Sequence, residues 1–157
     1  MLKILFVCTG NTCRSPMAEA LFKHELTEIE LPCKIVVSSA GLSAFTGERA
    51  SEPVQQLFKM KGIDLSNHYA TNVDLKMIDN TDLVLVMTGD HRRQLLSRFP
   101  HAVNKTYILK EFAEETQTGS DIEDPLGSDL EIYCCVLEEI KVSIKKIILK
   151  FKEGCAE

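Results

Sequence analysis

No run of about 18 or more apolar residues occurs in this sequence, so nothing in it is built to span a membrane. Glycine and proline are scarce, at 8 and 5 of 157 residues, which excludes collagen-like and low-complexity chains. The N-terminal apolar run in MLKILFVCTGN is about five residues long, too short for the core of a secretory signal. The six cysteines show no CxxC spacing and the four histidines are scattered, so neither a zinc site nor any other metal is expected. Positive charge is lacking too. A formal net charge of −5 argues against a general nucleic-acid binder. The absence of GxxxxGK[ST] excludes a nucleotide-binding P-loop. What is present, 45% hydrophobic and 26% charged residues, is the profile of one globular domain over 1–157. Its expected place is the cytoplasm, where unpaired thiols survive, with neither membrane nor nucleic acid as partner.

The pattern along the chain alternates strand and helix. LKILFVC at 2–8 is a continuous apolar run of the kind buried on both faces of a parallel sheet. Residues 16–30 follow it with a helical spacing of Met17, Ala20, Leu21, His24 and Glu25. A second strand is expected at 34–39, then a helix from Ser51 with Val54, Leu57, Phe58 and Lys61 on one face, ended by Gly62. Strands at 83–87 and 105–109 flank a helix at 88–98 that carries Leu95 and Leu96. From Ser128 to Lys152, Ile132, Val136, Ile140, Ile144, Ile147 and Phe151 recur at helical spacing. Ser128 and Glu131 have capping-box spacing, and Lys145, Lys146, Lys150 and Lys152 crowd the far end, as the helix dipole favours. This alternation predicts an α/β fold, a doubly wound four-stranded parallel sheet in three layers with helices on both faces. Ligands in such folds sit at the carboxyl ends of strands, which singles out the loop after the first strand.

That loop reads Cys8-Thr9-Gly10-Asn11-Thr12-Cys13-Arg14-Ser15-Pro16. A cysteine ending an apolar strand is by itself usually core. Its surroundings argue otherwise. Gly10 and Asn11 tolerate a positive φ, which turns successive N–H groups inward as an anion nest. Ser15 as N-cap and Pro16 at the first helical position aim a helix N-terminus at the same point. Arg14 offers a bidentate grip on two oxygens of a phosphate-like dianion. Cys8, at the base of the cradle, is surrounded by dipoles that favour a thiolate.

Cys8 to Pro16, in the setting FVCTGNTCRSPMAEAL, resembles the phosphate-binding loop of the low-molecular-weight protein tyrosine phosphatases. Ser39-Ala40-Gly41, Asp82 to Thr88, and Asp124-Pro125 before the last helix match that family's other signatures. The resemblance covers nearly the whole chain and implies a flavodoxin-like sheet. It implies Cys8 as nucleophile, Arg14 as the group that binds phosphate and the transition state, and Asp124 as general acid. The loop from Thr9 through Gly10, Asn11, Thr12 and Cys13 to Arg14 would hold the phosphoryl oxygens, and Asn11, Ser15, Ser39 and His68 would support it. Phosphorylated proteins would be the substrates and inorganic phosphate or another oxyanion the loop's ligand. A phenolic leaving group with a conjugate acid near 10 needs such an acid, and neither step needs a cofactor or metal. Each residue also has a plainer reading: Asp-Pro is a common turn, and a lone His68 is more often structural. Cys13, five residues from Cys8, is a candidate redox partner able to trap its sulfenic acid.

Three features depart from the commonest family pattern. Thr12 stands where many members carry an apolar branched residue, which resembles the bacterial branch acting on phosphoarginine. Leu126-Gly127 follows Asp-Pro where eukaryotic members place tyrosines, and Phe45 is the only aromatic wall offered by the loop flanking the pocket. Residues 111–131 hold eight acidic side chains (Glu111, Glu114, Glu115, Asp121, Glu123, Asp124, Asp129, Glu131) and no basic one. That run is either a solvated face or an acidic rim suited to a guanidinium or a basic peptide. Two other functions compete: a thioredoxin-coupled arsenate reductase, which needs further cysteines that 88–98 lacks, and a catalytically silent phosphopeptide- or anion-binding module.

Overall fold

A computed structural model of the chain describes residues 1–114 and 121–154. Strand β1 (Leu2–Cys8) leads into helix α1 (Arg14–Glu28), and β2 (Ile35–Gly41) into α2 (Glu52–Met60). After α3 (Leu75–Asp79) come β3 (Leu83–Val86), α4 (Gly89–Arg98) and a 3-10 turn at Pro100–Lys105. The chain continues through β4 (Thr106–Ile108), α5 (Leu109–Glu114) and α6 (Leu130–Gly154). The four strands pair in parallel in the order β2-β1-β3-β4. From β1 the chain therefore winds one way to β2 and the other way to β3, which places a switch point at the carboxyl end of β1.

The side-chain period of two divides each central strand between two cores. Ile4, Phe6 and Cys8 of β1, with Leu83 and Leu85 of β3, face one layer with Met17 and Phe22 of α1 and Ile140 and Ile144 of α6. Leu5 and Val7, with Val84 and Val86, face the other with Ile78 of α3 and Leu95 of α4. β1 is thus buried on both faces, as its unbroken apolar run requires. Phe6 and Phe22 meet with ring centroids 5.9 Å apart.

Most differences from the sequence expectation concern ends of elements. β2 runs to Gly41, and α1 begins at Arg14 rather than near Pro16. Lys61 is the exposed C-cap of α2 and not part of its buried face, and Gly62 at φ +74° ends the helix. The short α3 and α5 and the 3-10 turn carry too few residues for any periodicity to show. α6 starts at Leu130, where Asp129 Oδ1 accepts from Ile132 N at 3.3 Å, so the Ser128–Glu131 capping box does not form. Its buried stripe begins with Tyr133, while Ile132 is 45% exposed. The lysines near its end serve tertiary contacts: Lys146 pairs with Glu114, and Lys150 donates to the Phe112 carbonyl.

Ile140→Ala is expected to cost about 2–5 kcal/mol, because it empties a site buried between α6 and the sheet. Ile132→Ala, on the exposed face, should stay within about 0.5 kcal/mol of wild type. Urea unfolding of both variants checks the stripe; equal losses would refute it.

Candidate active site

The loop between β1 and α1 is held from outside by its carbonyls. Cys8 O accepts from Leu42 N at 2.9 Å, Thr9 O from Ser43 N at 3.0 Å, and Thr12 O from Ser51 N at 2.9 Å. Asn11 O accepts from His68 Nε2 at 2.7 Å, which fixes the proton of that ring on Nε2. Among the described residues, by contrast, no hydrogen bond is donated by the amides of Gly10 to Cys13. Carbonyls bound to the scaffold and unpaired amides are the arrangement of an anion cradle.

Asn11 makes the turn. It alone of the non-glycine residues described has a positive φ, +55°, and it is fully buried. Gly10, expected to share that conformation, does not adopt it. The glycine the loop requires is Gly41, opposite Cys8 in the β1–β2 pairing: a Cβ there would lie 2.5 Å from Thr9 O and 3.1 Å from Asn11 N. Asn11 Nδ2 donates to Ser15 Oγ at 2.8 Å and Ser39 Oγ at 3.0 Å, and its Oδ1 accepts from Thr71 N at 3.0 Å. The expected supporting group of Asn11, Ser15, Ser39 and His68 is therefore brought together around one side chain.

Ser15 is not the helix cap. Cys13 occupies that position without a side-chain bond, and Ser15 lies inside the first turn, fully buried. Its hydroxyl is 2.9 Å from Cys8 Sγ. Its oxygen accepts from Asn11, and its single proton has two acceptors within reach, the sulfur at 2.9 Å and the Ala40 carbonyl at the longer distance of 3.4 Å. Ser39 in turn donates to Glu19 Oε2 at 2.5 Å, and Glu19 pairs with Lys23, two partners that no sequence pattern indicated.

Arg14, 4% exposed, donates from Nη1 to the Ile122 carbonyl at 2.9 Å and places Nη2 3.4 Å from Asp124 Oδ2. The segment bearing Asp124 is fixed at two more points: Ile122 N donates to Met87 O at 2.9 Å and Gly89 N to Asp121 Oδ1 at 2.8 Å. Asp124 also makes the turn its Asp-Pro sequence suggests, accepting from Leu126 N at 3.1 Å, and its side chain remains 46% exposed. Several residues of the acidic run have structural partners, Asp121 at α4, Asp129 at α6 and Glu114 with Lys146. Glu115 and Cys155 lie outside the described residues. Phe45 is 80% exposed. Among the described residues no group of three or more His, Cys, Asp and Glu could hold a metal ion.

Around Cys13, Sγ lies 3.3 Å from Ser51 Oγ and 3.8 Å from Tyr133 OH. Burial raises the Tyr133 phenol above its ordinary value. His91, also unforeseen, is buried on α4 with Nε2 2.9 Å from Thr9 Oγ1, while its Nδ1 is buried without a partner. An orphaned lone pair is less costly than an orphaned N–H, so the proton belongs on Nε2 and the Thr9 hydroxyl is left free to donate to an anion. Burial, aided by the Arg14 charge, lowers the His91 pKa from 6.5 to about 4 against the pull of Asp90, Asp124 and Asp121.

Comparison with known proteins gives a consistent picture. The family described as low molecular weight phosphotyrosine protein phosphatase matches residues 3–156. A protein-arginine-phosphatase of Geobacillus stearothermophilus is 39% identical over 96% of this chain and 96% of its own. A low molecular weight protein tyrosine phosphatase from T. tengcongensis superposes with a TM-score of 0.88 at 39% identity, over 96% of this chain and 99% of its own. An arginine phosphatase variant whose active-site cysteine is replaced by a phosphorylated serine superposes with a TM-score of 0.90 at 34% identity, over 96% of each chain.

The neutral, buried His91 makes stability depend on pH in a defined sense. The unfolded ring binds a proton near pH 6.5 and the folded one near 4, so stability is full above about 6.5 and declines as pH falls towards 4. His91→Gln should flatten the unfolding free energy across that interval, as measured by urea titrations at successive pH values. An unchanged slope would remove His91 as its source.

Proposed function

Since the chain belongs to the low molecular weight phosphotyrosine protein phosphatase family, a cysteine-dependent class of hydrolases, we propose that Cys8 is its nucleophile and that it removes phosphate from protein side chains, with arginine as the acceptor. The observation that carries the first part is the Ser15 hydroxyl, 2.9 Å from Cys8 Sγ with its oxygen already taken by Asn11. A hydroxyl held in that way keeps a hydrogen-bond partner beside the sulfur and fixes its position at the base of the cradle.

The proposed reaction runs in two displacements. The Cys8 thiolate attacks phosphorus, the bond to the side-chain atom breaks, and Asp124 gives its proton to the leaving group. Water, deprotonated by the Asp124 carboxylate, then attacks the phosphocysteine, releasing inorganic phosphate and the thiolate. Loop amides from Thr9 to Arg14 hold the phosphoryl oxygens. Arg14, now 3.4 Å from Asp124, would turn its guanidinium to the phosphoryl group while Asp124 faces the leaving atom. The relative carrying a phosphorylated serine in place of its cysteine agrees with such an intermediate.

For the acceptor, overall identity does not decide, since an arginine phosphatase and a tyrosine phosphatase are each 39% identical to this chain. Thr12 supports arginine. It offers a hydroxyl at the cradle where an isoleucine would offer only methyls, and Asp124 can pair with a guanidinium once ionised. Cys13 is proposed as the thiol that attacks a Cys8 sulfenic acid formed by peroxide, releasing water and closing a disulfide. This chemistry needs a reducing compartment to restore it, which supports the cytoplasm as its setting.

Two substitutions test the assignment. Asp124→Asn should lower kcat for phenyl phosphate by about 10²–10⁴-fold and that for a strongly activated aryl phosphate far less. Equal losses would make Asp124 positional. Thr12→Ile should shift the kcat/KM ratio of phosphoarginine to phosphotyrosine peptides towards tyrosine by roughly 5- to 150-fold, the value of one lost polar contact. An unchanged ratio would show that Thr12 does not select the acceptor.

A further inference from the structure

A cleft of about 560 Å³ opens beside the catalytic loop without including Cys8, Arg14 or Asp124 in its walls. It is lined instead by Glu19, Ser39 and His68, three side chains that hold the loop from behind. An unbroken series of hydrogen bonds leads from it to the nucleophile. Lys23 Nζ meets Glu19 Oε1 at 2.5 Å, Ser39 donates to Glu19 at 2.5 Å, Asn11 to Ser39 at 3.0 Å and to Ser15 at 2.8 Å, and Ser15 lies 2.9 Å from Cys8 Sγ. His68, from the same wall, holds the Asn11 carbonyl.

The chemistry of the walls selects an occupant. Glu19 and Asp64 both line the cleft, with Lys23 and His24, and Asp64 accepts from Ser66 N and Oγ, each at 2.9 Å, which lowers its pKa. Each oxygen of Glu19 already holds one donor, so a cation entering there meets one of two held positions. One of these is taken by Lys23, whose side chain is 57% exposed, and an exposed pair four residues apart on a helix is weak enough to exchange. Ala20, Ile63 and Leu65 add apolar side chains to the same walls.

We propose that this cleft is an effector site for a small organic cation, a guanidinium or alkylammonium head at Glu19 with an apolar stem along Ala20, Ile63 and Leu65. A cation there displaces Lys23 and competes with Ser39 for the Glu19 carboxylate, which loosens Ser39, Asn11 and Ser15 in turn and weakens the hydrogen bond to Cys8. Its effect is to lower kcat without entering the phosphate cradle. The site does not depend on which acceptor the enzyme serves.

Agmatine is the probe, with butylurea as its neutral counterpart. It is titrated at millimolar concentrations into the full chain saturated with inorganic phosphate, so that the cradle is filled, and followed by amide chemical shifts. Shifts are expected at Ala20, Gly62, Ile63 and His68, with butylurea giving none. Asp64→Asn should weaken binding by about tenfold, and Ile63→Trp, which fills the cleft, should abolish it. In steady-state hydrolysis of p-nitrophenyl phosphate, agmatine should lower kcat at least about fivefold with a non-competitive pattern. Shifts confined to the acidic segment 121–131, a purely competitive pattern, equal binding of butylurea, or no binding overturns the proposal. Absence of turnover before agmatine is added would instead refute the phosphatase reading and leave the binding result to stand separately.

Discussion

Asn11 is a buried amide in a left-handed backbone conformation, and the loop and, through Ser15, Cys8 are oriented by it. Its two N–H groups, its side-chain oxygen and its carbonyl each have a partner, so the side chain cannot flip without leaving buried donors facing donors. That constraint sets the direction of the neighbouring hydrogen bonds. Ser15 and Ser39 must accept from Asn11, and each therefore has one proton left, given at Ser39 to Glu19 and shared at Ser15 between the sulfur at 2.9 Å and the Ala40 carbonyl at 3.4 Å. A left-handed asparagine is tolerable only because the surrounding bonds over-determine it.

The sheet supplies the place for this arrangement. With β1 between β2 and β3, Cys8 leaves the sheet opposite Gly41 on one side and just beyond the Val7–Val86 pair on the other. The missing side chain of Gly41 lets the loop fold back on β2, where any Cβ would collide with the Thr9 carbonyl. From the β3 side, Met87 and Gly89 hold Ile122 and Asp121, and Ile122 holds Arg14. Cys8, Arg14 and Asp124, the proposed nucleophile, phosphate-binding group and acid, thus come from two stretches of chain tied to the ends of two adjacent strands. Rigid attachment of that kind lets short loops keep reacting groups within the tolerance chemistry demands.

Burial also distributes protonation. His91 stays neutral despite three aspartates nearby, because desolvation and the Arg14 charge outweigh them. A neutral ring with its proton on Nε2 leaves the Thr9 hydroxyl as a donor towards the cradle. Burial on α6 likewise raises the Tyr133 phenol, beside Cys13, above its ordinary value. Neither residue belongs to the loop, yet each makes a hydrogen bond to a side chain of it.

What the sequence determined by itself was local or periodic. The apolar run of 2–8 made a strand buried on both faces, the spacing in α6 made a helix with Val136, Ile140 and Ile144 inward, and Cys8 to Arg14 marked the cradle, because these signals are carried by neighbouring residues. The same local logic misplaced Ser15 as a cap, gave Gly10 a turn that Asn11 makes alone, and read Ser128 and Glu131 as a capping box where Asp129 acts. Each error chose the commonest local use of a residue type, and each was overruled by a partner distant in the chain or by packing. Only the tertiary structure decided that Gly41 rather than Gly10 is the indispensable glycine, that Ile122 carries Arg14, and that Glu19 and His91 stand behind the loop. Hydrogen bonds spanning 20 to 108 positions leave no periodic trace in a sequence, so those contacts exist only once the sheet has brought their strands together.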